Sequence, residues 1–471
     1  MSYEIRADYA QMDLLPHSLK DWVPEDHPAR FIREFVDALD LRELGFGERE
    51  SEEGRPSYAH DLLLKVWLYG YLARMRSTRE LERACREHLS LVWLTGRHAP
   101  DHNTLWRFWK ENRAALREVF RAGVRVAAAQ GLIGMVCHAV DGTKLRAVAS
   151  RRTVEHRPEL QRALARVEAS IAEMEAAVEA AEQEETGEYR LPERLREAGK
   201  LRQAILESLG KMREAQRAHL HPQEPEARLM PCEGRHDPAY NAQAVADAQA
   251  GIVVAATVVR AESDNAQLVP MLEEVQANLG GVAKETVADG GYGSAAQLGE
   301  AEARGYEVLV APGVETGGPK RGEFDSSQFA YDRQADEVIC PQGKRLEFEG
   351  MKKKGPRQAS VRSYRCQHYA SCAVRDLCSR RRGGRRIEWH PQHAALQRQR
   401  AKRCDPAKQA LLRQRQAIIE PVFAAIKQAM GFRRWTVRGL ENVRTQWALL
   451  CTVLNLRKMH KYWAAGQLAI A

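Results

Sequence analysis

No apolar run in this 471-residue sequence approaches the ~20 residues that a membrane-spanning helix needs. The first twenty residues, MSYEIRADYAQMDLLPHSLK, lack the charged-then-apolar layout of an export signal, so a cytosolic protein is expected. That compartment is reducing, which excludes a disulfide framework for the nine cysteines. Cys85, Cys137, Cys232, Cys404 and Cys451 are scattered and read as plain thiols, whereas Cys340, Cys366, Cys372 and Cys378 share one stretch. Acidic residues are scarce at one end. Residues 380–461 hold four Asp and Glu against 20 Lys and Arg, a local net charge of +16 in a chain whose total is +9. A basic end on an otherwise slightly acidic protein suggests either a surface for a polyanion or a solvated helical face. With 44% hydrophobic and 29% charged residues, the remainder is ordinary globular composition, long enough for two or three domains.

Residues 1–130 read as helical. Leu62, Val66, Tyr69 and Ala73 share one stripe at the 3.6-residue period of a core-facing helix. Ser77 followed by Glu80 predicts a capping box, and Asp101, Asn103 or Thr104 after Pro100 predict another helix start. Short helices between tight turns suit a helix-turn-helix-like unit or a generic bundle. Val136, His138 and Val140 then alternate with Cys137, Ala139 and Asp141, a strand ending in a turn at Asp141-Gly142. Within residues 153–218, Leu160, Leu164, Val167, Ile171, Met174 and Val178 keep heptad spacing. After a break at TGEYRLP, a second run carries Leu201, Ile205, Leu209 and Met212, completing a helical hairpin. Strand pairs about residues 249–251, a helix after Ser263, a strand entering TVADGGYGS and another in YEVLVAP indicate a mixed α/β sheet. Residues 313–330 read as a linker and residues 390–463 as helical throughout.

Asp141, before Gly142, and Asp289, before Gly290 and Gly291, are expected at strand ends. Carboxylates on adjacent strands of an α/β sheet point into one crevice, although Asp-Gly is also a favoured turn pair. Glu420 is the odd residue of the basic end, flanked by Ile418, Ile419 and Val422. Because Pro421 comes next, Glu420 is expected at a kink, or at an N-cap with Pro421 first in the helix. Lys427 lies two helical turns further along the same face. Three carboxylates can bind two divalent cations about 3.5–4 Å apart and so promote phosphoryl transfer; hard oxygen ligands suit Mg²⁺ or Mn²⁺. The basic end would then hold a DNA backbone. Arg433, Arg434 and Arg438 around Trp435 suit phosphate contacts and stacking on a base, or a core tryptophan among solvated arginines. Cys340, Cys366, Cys372 and Cys378, with His368 as a substitute, could close a tetrahedral Zn²⁺ site. Their gaps exceed those of ordinary zinc modules, and four free thiols are the alternative.

Four stretches, taken in order, resemble the DDE transposases of bacterial insertion sequences, specifically the eleven-eighty-two-like subgroup. GRPSYAHDLLLKVWLYGYLARMRSTRELERACREHLSLVWLTG with PDHNTLWRF resembles their N-terminal helical domain. VDGTKLRAVAS and VADGGYGS resemble the segments bearing the two catalytic aspartates. IIEPVFAAIKQAMGFRRWTVRGLENVRTQWALLCTVLNLRKM resembles the helix of the catalytic glutamate and the segment after it. Beyond these four, FAYDRQADEVICPQGKRL followed by YRCQHYASCAVRDLC also resembles the cysteine-bearing insert of the subgroup. The resemblance implies a ribonuclease H-like mixed sheet with flanking helices in an α/β chain. It implies Asp141, Asp289 and Glu420 as ligands of two Mg²⁺ or Mn²⁺ ions, and Lys427 as a phosphate contact. Around the third acid the related signature has Tyr, Arg, Glu and Lys. Here Arg413 stands at the tyrosine position and Gln416 at the arginine position, with Arg415 one residue early.

The implied organisation is a helical DNA-binding segment at 1–130, a core at 131–152 and 226–315, and an inserted hairpin at 153–225. A cysteine-bearing insert at 316–388 and C-terminal helices at 389–471 complete it. Arg415, Arg433, Arg434, Trp435 and Arg438 are the expected DNA contacts. The implied activity is cleavage at insertion-sequence ends and strand transfer into target DNA, with a catalytically inactive, transposase-derived DNA-binding protein as the alternative. The implied partners are double-stranded DNA, as terminal inverted repeats and target, and a second copy of the chain. The expected location is the bacterial cytoplasm, at the nucleoid, with no membrane association.

Overall fold

The computed structural model describes residues 18–47, 57–182, 193–312, 324, 328–332, 334–352, 360–379, 383–390 and 392–469. Most of the expected linker at 313–330 and the break at TGEYRLP lie outside them. Six helices open the chain: α1 (Pro28–Asp37), α2 (His60–Leu72), α3 (Thr78–Glu87), α4 (Leu89–Leu94), α5 (His102–Glu111) and α6 (Arg113–Ala129). The stripe expected on α2 is too narrow a reading. Every residue from Leu63 to Tyr71 is buried, because α2 is surrounded by α1, α3, α4, α5 and a C-terminal helix. Gly70 permits this crowding, since a Cβ there would lie 2.2 Å from Leu81 Cδ2 of α3. Ser77 does precede α3, but its side chain makes no capping bond; instead Glu80 Oε2 accepts the Arg76 N–H at 3.3 Å. Asp101 caps α5, accepting the Thr104 N–H at 2.8 Å.

Strand β1 (Cys137–Arg146) leads to a hairpin of α7 (Arg157–Glu182) and α8 (Glu193–Glu214), clasped at its base by β2 (Glu155–His156) pairing with β3 (His219–Leu220). Then come β4 (Arg228–Cys232), β5 (Arg235–Asp247), β6 (Val253–Val259), α9 (Leu268–Leu279), β7 (Glu285–Ala288), α10 (Ala295–Ala303) and β8 (Val308–Val310). The helix expected after Ser263 begins five residues later, at Leu268. In the main sheet β5 pairs antiparallel with β1, β4 and β6, while β1, β7 and β8 run parallel. This mixed sheet with flanking helices is consistent with the ribonuclease H-like arrangement.

A second, five-stranded antiparallel sheet contains β9 (Ala330–Asp332), β10 (Glu337–Ile339), β11 (Arg345–Lys352), β12 (Val361–Cys366) and β13 (Arg386–Trp389), with α11 (Arg375–Cys378) between the last two. It has its own small core of Phe329, Val338, Leu346, Tyr364, Ile387 and Trp389. The chain ends in α12 (His393–Lys402), α13 (Pro406–Ala424), a π-turn at Ala425–Ala429 and α14 (Leu440–Ala464). The C-terminal part is therefore not helical throughout, since residues 431–439 are irregular.

Helix α14 is a central strut. It packs on α1, α2, α6 and β6, and one continuous buried cluster joins Phe35, Trp67 and Leu105 of the first helices to Val140 and Val287 of the sheet. Both flanks of that sheet are closed by a helix amide. Asn455 of α14 accepts the Val253 N–H and donates to the Val253 carbonyl, both at 2.8 Å. Gln399 of α12 does the same for β8, accepting from Val310 N–H at 3.2 Å and donating to the Val308 carbonyl at 2.7 Å. Side-chain amides thus satisfy backbone groups that an uncovered edge would leave unpaired.

Candidate active site

Strand β1 runs straight through Asp141-Gly142 and does not turn there. Gly142 is paired with Gln243 of β5, and a Cβ at Gly142 would lie 2.3 Å from Gln243 Nε2. Glycine here permits close approach across the ladder, which the Asp-Gly pairing masked as a turn signal. Asp141 is therefore a mid-strand residue beside β7, where Val140 pairs with Ala288. Asp289 follows Ala288, leaves the strand and caps a 3₁₀ turn at Gly290–Tyr292, its Oδ1 accepting the Gly291 N–H at 2.8 Å. The two aspartates are each the next residue after a paired position on neighbouring parallel strands.

The Asp141 side chain is 21% exposed, and its Oδ2 lies 3.1 Å from Arg415 Nη1. Its Oδ1 accepts the Gly142 N–H at 2.7 Å. Burial lifts the Asp141 carboxyl above its ordinary range; the Gly142 N–H opposes this, the charge of Asp289 adds to it and the Arg415 guanidinium opposes it. A buried carboxylate beside a second one makes a place that a cation relieves. Arg415, 14% exposed, is the cation found there.

Arg415 is carried by α13, which packs over β1, β5, β7 and β8. The helix has its own N-cap, Asp405, which accepts the Ala407 N–H at 2.8 Å, with Pro406 in the first turn. Glu420 is consequently not an N-cap, and Pro421 stands inside the helix. Proline removes the N–H that the Ala417 carbonyl would accept, and the backbone widens into the π-turn just beyond. Ile418, Ile419, Val422 and Ile426 are buried, while Glu420 is exposed and Lys427 is half-buried within the π-turn. Burial and the charge of Asp237 push the Cys232 thiol of β4 up, and the nearby charges of Arg146 and Lys427 oppose this. Asp141, Asp289 and Arg415 are thus brought together, and Glu420 lies on the outer side of α13. Among the described residues, no three His, Cys, Asp or Glu side chains gather as a group that could hold a metal ion.

The expected DNA contacts divide. Trp435 is 1% exposed, donates its indole N–H to the Leu145 carbonyl at 3.1 Å and stacks edge-on with Trp447. It is a core residue with no free face for a base. Arg415 is the partner of Asp141. Arg433, Arg434 and Arg438 are exposed and lie along the end of β1: Arg433 meets Glu233 at 3.3 Å, Arg434 donates to the Ala147 carbonyl at 3.1 Å and Arg438 to the Val148 carbonyl at 3.2 Å.

Cys340, Cys366, Cys372 and Cys378 line one cavity of about 100 Å³ with His368, at the ends of β10 and β12 and on α11. Cys340 Sγ accepts the Lys344 N–H at 3.3 Å. Burial, with the neighbouring thiols, pushes Cys366 and Cys378 up from the ordinary thiol value. The four sulfurs share a wall without meeting as a ligand group.

Sequence reasoning passed over a buried polar network beside the aspartates. Asp264, read only as part of a helix start, lies in the β6–α9 connection with Lys144 Nζ at 2.8 Å. Its Oδ1 accepts from Asn241 Nδ2 and Gln243 Nε2, each at 2.7 Å. The Tyr292 hydroxyl donates to Gln243 Oε1. Burial and the charges of Asp264, Asp141 and Asp289 hold that phenol well above its ordinary value, so it stays a neutral donor. Polar residues at alternate positions of β5, Asn241 and Gln243, were the available signal in a strand otherwise small and apolar.

Two family models match the chain. Residues 339–460 match a Transposase DDE domain, a span that holds the four clustered cysteines, Glu420 and Lys427 but neither aspartate. Residues 17–111 match a Transposase domain (DUF772). No curated protein matches the chain.

Proposed function

Because these matches place the chain among the DDE transposases of insertion-sequence type, we propose that it cleaves DNA at insertion-sequence ends and transfers the freed strand to target DNA. The observation that carries this reading is the Asp141–Asp289 pair on adjacent parallel strands, with Arg415 balancing its charge. Hard carboxylate oxygens, one of them buried so that its carboxyl is raised, with the second carboxylate adding to the rise, fit a divalent cation. Asp141, Asp289 and Glu420 would hold two Mg²⁺ or Mn²⁺ ions. Such ions, when bound, neutralise charge developing on the phosphoryl oxygens and make bound water acidic.

The chain's own residues have distinct tasks. Arg415 opposes the rise that burial imposes on the Asp141 carboxyl and would yield that carboxylate when the site is loaded. Glu420 has to come inward from the outer side of α13, a displacement that the interrupted helix beyond Pro421 makes feasible. Lys427 and the exposed Arg433, Arg434 and Arg438 would neutralise backbone phosphates and set the register of the DNA. Residues within 1–130 would read the terminal repeats, and two copies of the chain would hold the two ends together.

The test is incubation of the purified protein with DNA carrying the repeats that flank its gene, with Mg²⁺ or Mn²⁺, beside Asp289→Asn. Cleavage at the repeat edges by the wild type and its loss in Asp289→Asn is the expected result. Joined products would add strand transfer. Binding without cleavage in either metal would leave a non-catalytic DNA-binding protein.

A further inference from the structure

Tyr292 belongs to the 3₁₀ turn that Asp289 caps, so whatever holds Tyr292 also holds the second aspartate. Its hydroxyl is bonded to Gln243, whose amide is bonded in turn to Asp264. Asp264 also grips β1 directly through Lys144, three residues beyond Asp141. Asn241 adds a parallel support, donating to Asp264 Oδ1 at 2.7 Å and to the Ala261 carbonyl at 3.2 Å, while its own Oδ1 accepts from Gln243 Nε2 at 2.9 Å. Ser294, just past the turn, donates to the Asn265 carbonyl at 2.8 Å and ties the same two loops a second time.

The space around this carboxylate is tight. A Cβ on Gly142, the neighbour of Asp141, would lie 3.0 Å from Asp264 Oδ1. A Cβ on Gly291, within the Asp289 turn, would lie 3.0 Å from Asp289 Oδ1 and 3.8 Å from Asp264 Cβ. Asp264 therefore stands between the backbones that carry the two aspartates. Asn241, Gln243 and Tyr292 are fully buried, so these amides and the phenol have no water to exchange with, and their bonds fix direction as well as distance.

We propose that Asp264 is a positioning residue of the active site: through Gln243 and Tyr292 it fixes the turn bearing Asp289 against the strand bearing Asp141. Asp264 touches no substrate in this role. Groups that orient metal ligands commonly account for about 10–100-fold in metal affinity or activity when removed, which sets the size of the expected effect. The inference rests on the reading of Asp141 and Asp289 as cation ligands.

The experiment measures Mn²⁺ binding by electron paramagnetic resonance on the full chain with uncleaved repeat DNA, together with end cleavage. Asp264→Asn, Tyr292→Phe and the double variant are compared with Asp289→Asn. Each single variant is expected to weaken Mn²⁺ binding and cleavage about tenfold, with DNA affinity unchanged, and the double variant to be no worse than the weaker single one. A loss of folding without the network would lower DNA affinity too, a change that positioning does not produce. Should Asp264→Asn fail to fold, Tyr292→Phe, which removes one oxygen, still cuts the relay. If both variants bind Mn²⁺ and cleave within twofold of wild type while Asp289→Asn does neither, the positioning role is overturned and the cation-site reading stands. If Asp289→Asn itself binds Mn²⁺ and cleaves normally, that reading fails first.

Discussion

Asp141 and Asp289 are placed by strand pairing, whereas Glu420 is placed by the packing of a helix. On the sheet side, β1 is paired on both flanks, to β5 and to β7, and the turn after β7 is tied back through Tyr292 and Ser294. A one-residue change of register there would turn every side chain to the other face, so the pair has little freedom. On the helix side, α13 contains a proline, loses a backbone bond and widens into a π-turn within ten residues of Glu420. In the proposed site the strand-borne pair is preformed, and the third acid is carried by α13, a helix interrupted just beyond it that packs across the sheet.

The strongest way to break this comparison is Glu420→Gln. The side chain is exposed, so folding stability should stay within about 0.5 kcal/mol of wild type. End cleavage should nonetheless fall about a thousandfold, the several kcal/mol expected when a charged ligand of the reacting centre is lost. Asp289→Asn should lose as much. Cleavage within twofold of wild type for Glu420→Gln alone would remove the helix-borne acid from the reaction and leave only the strand-borne pair.

The same division explains what was legible in the sequence. Alternation gave β1, β5 and β6, and both aspartates could be named from their motifs. Yet Asp141 was expected at a turn, because Asp-Gly signals a turn locally and only the partner strand reveals that Gly142 is there to admit Gln243. Glu420 was expected at a kink or a cap, since a proline's effect on the preceding residue is a local rule. Asp405 caps the helix fifteen residues earlier and the packing of α13 on four strands carries the helix through Pro421. Trp435 was open to two readings, a stacking residue or a core tryptophan among solvated arginines, and it is the core residue; the exposure of its arginine neighbours says nothing about where an indole between them points. Asp264 was missed because its partners Lys144, Asn241 and Gln243, and Tyr292 behind Gln243, come from three other elements, which no window of sequence contains.

A raised carboxyl is not by itself the mark of the site, and Glu274 sharpens that point. It sits on α9, where burial outweighs the Ala256 N–H and the charges of Arg121 and Arg444 and pushes its carboxyl up to about 7. Asp141 is raised as well, but it faces Asp289 and Arg415. Because the folded pKa of Glu274 exceeds its ordinary value of 4.5, the folded state binds the proton more tightly. Its contribution is complete below about pH 4.5, is lost as pH rises through about 7 and stays lost above. The wild type should therefore lose about 3 kcal/mol relative to Glu274→Gln across that window, measured by denaturant unfolding at several pH values. Cleavage at pH 7 should change less than twofold. A large loss of cleavage would mean that the α9 side of the sheet also serves the reaction.

The smallest effect bears on the helix itself. Pro421→Ala supplies the N–H missing opposite the Ala417 carbonyl. A proline in a helix interior costs about 3 kcal/mol when nothing accommodates it; here the π-turn absorbs part of that strain, so a gain of about 1 kcal/mol in stability is expected. If the interruption lets Glu420 swing toward the strands, the gain comes with slower cleavage at unchanged DNA affinity, because the straightened helix holds its acid outward. Greater stability with undiminished cleavage would mean that Glu420 reaches the strands by side-chain rotation alone. The sheet and the helix would then be equally preformed, and the contrast between them would reduce to which side chains face the crevice before DNA arrives.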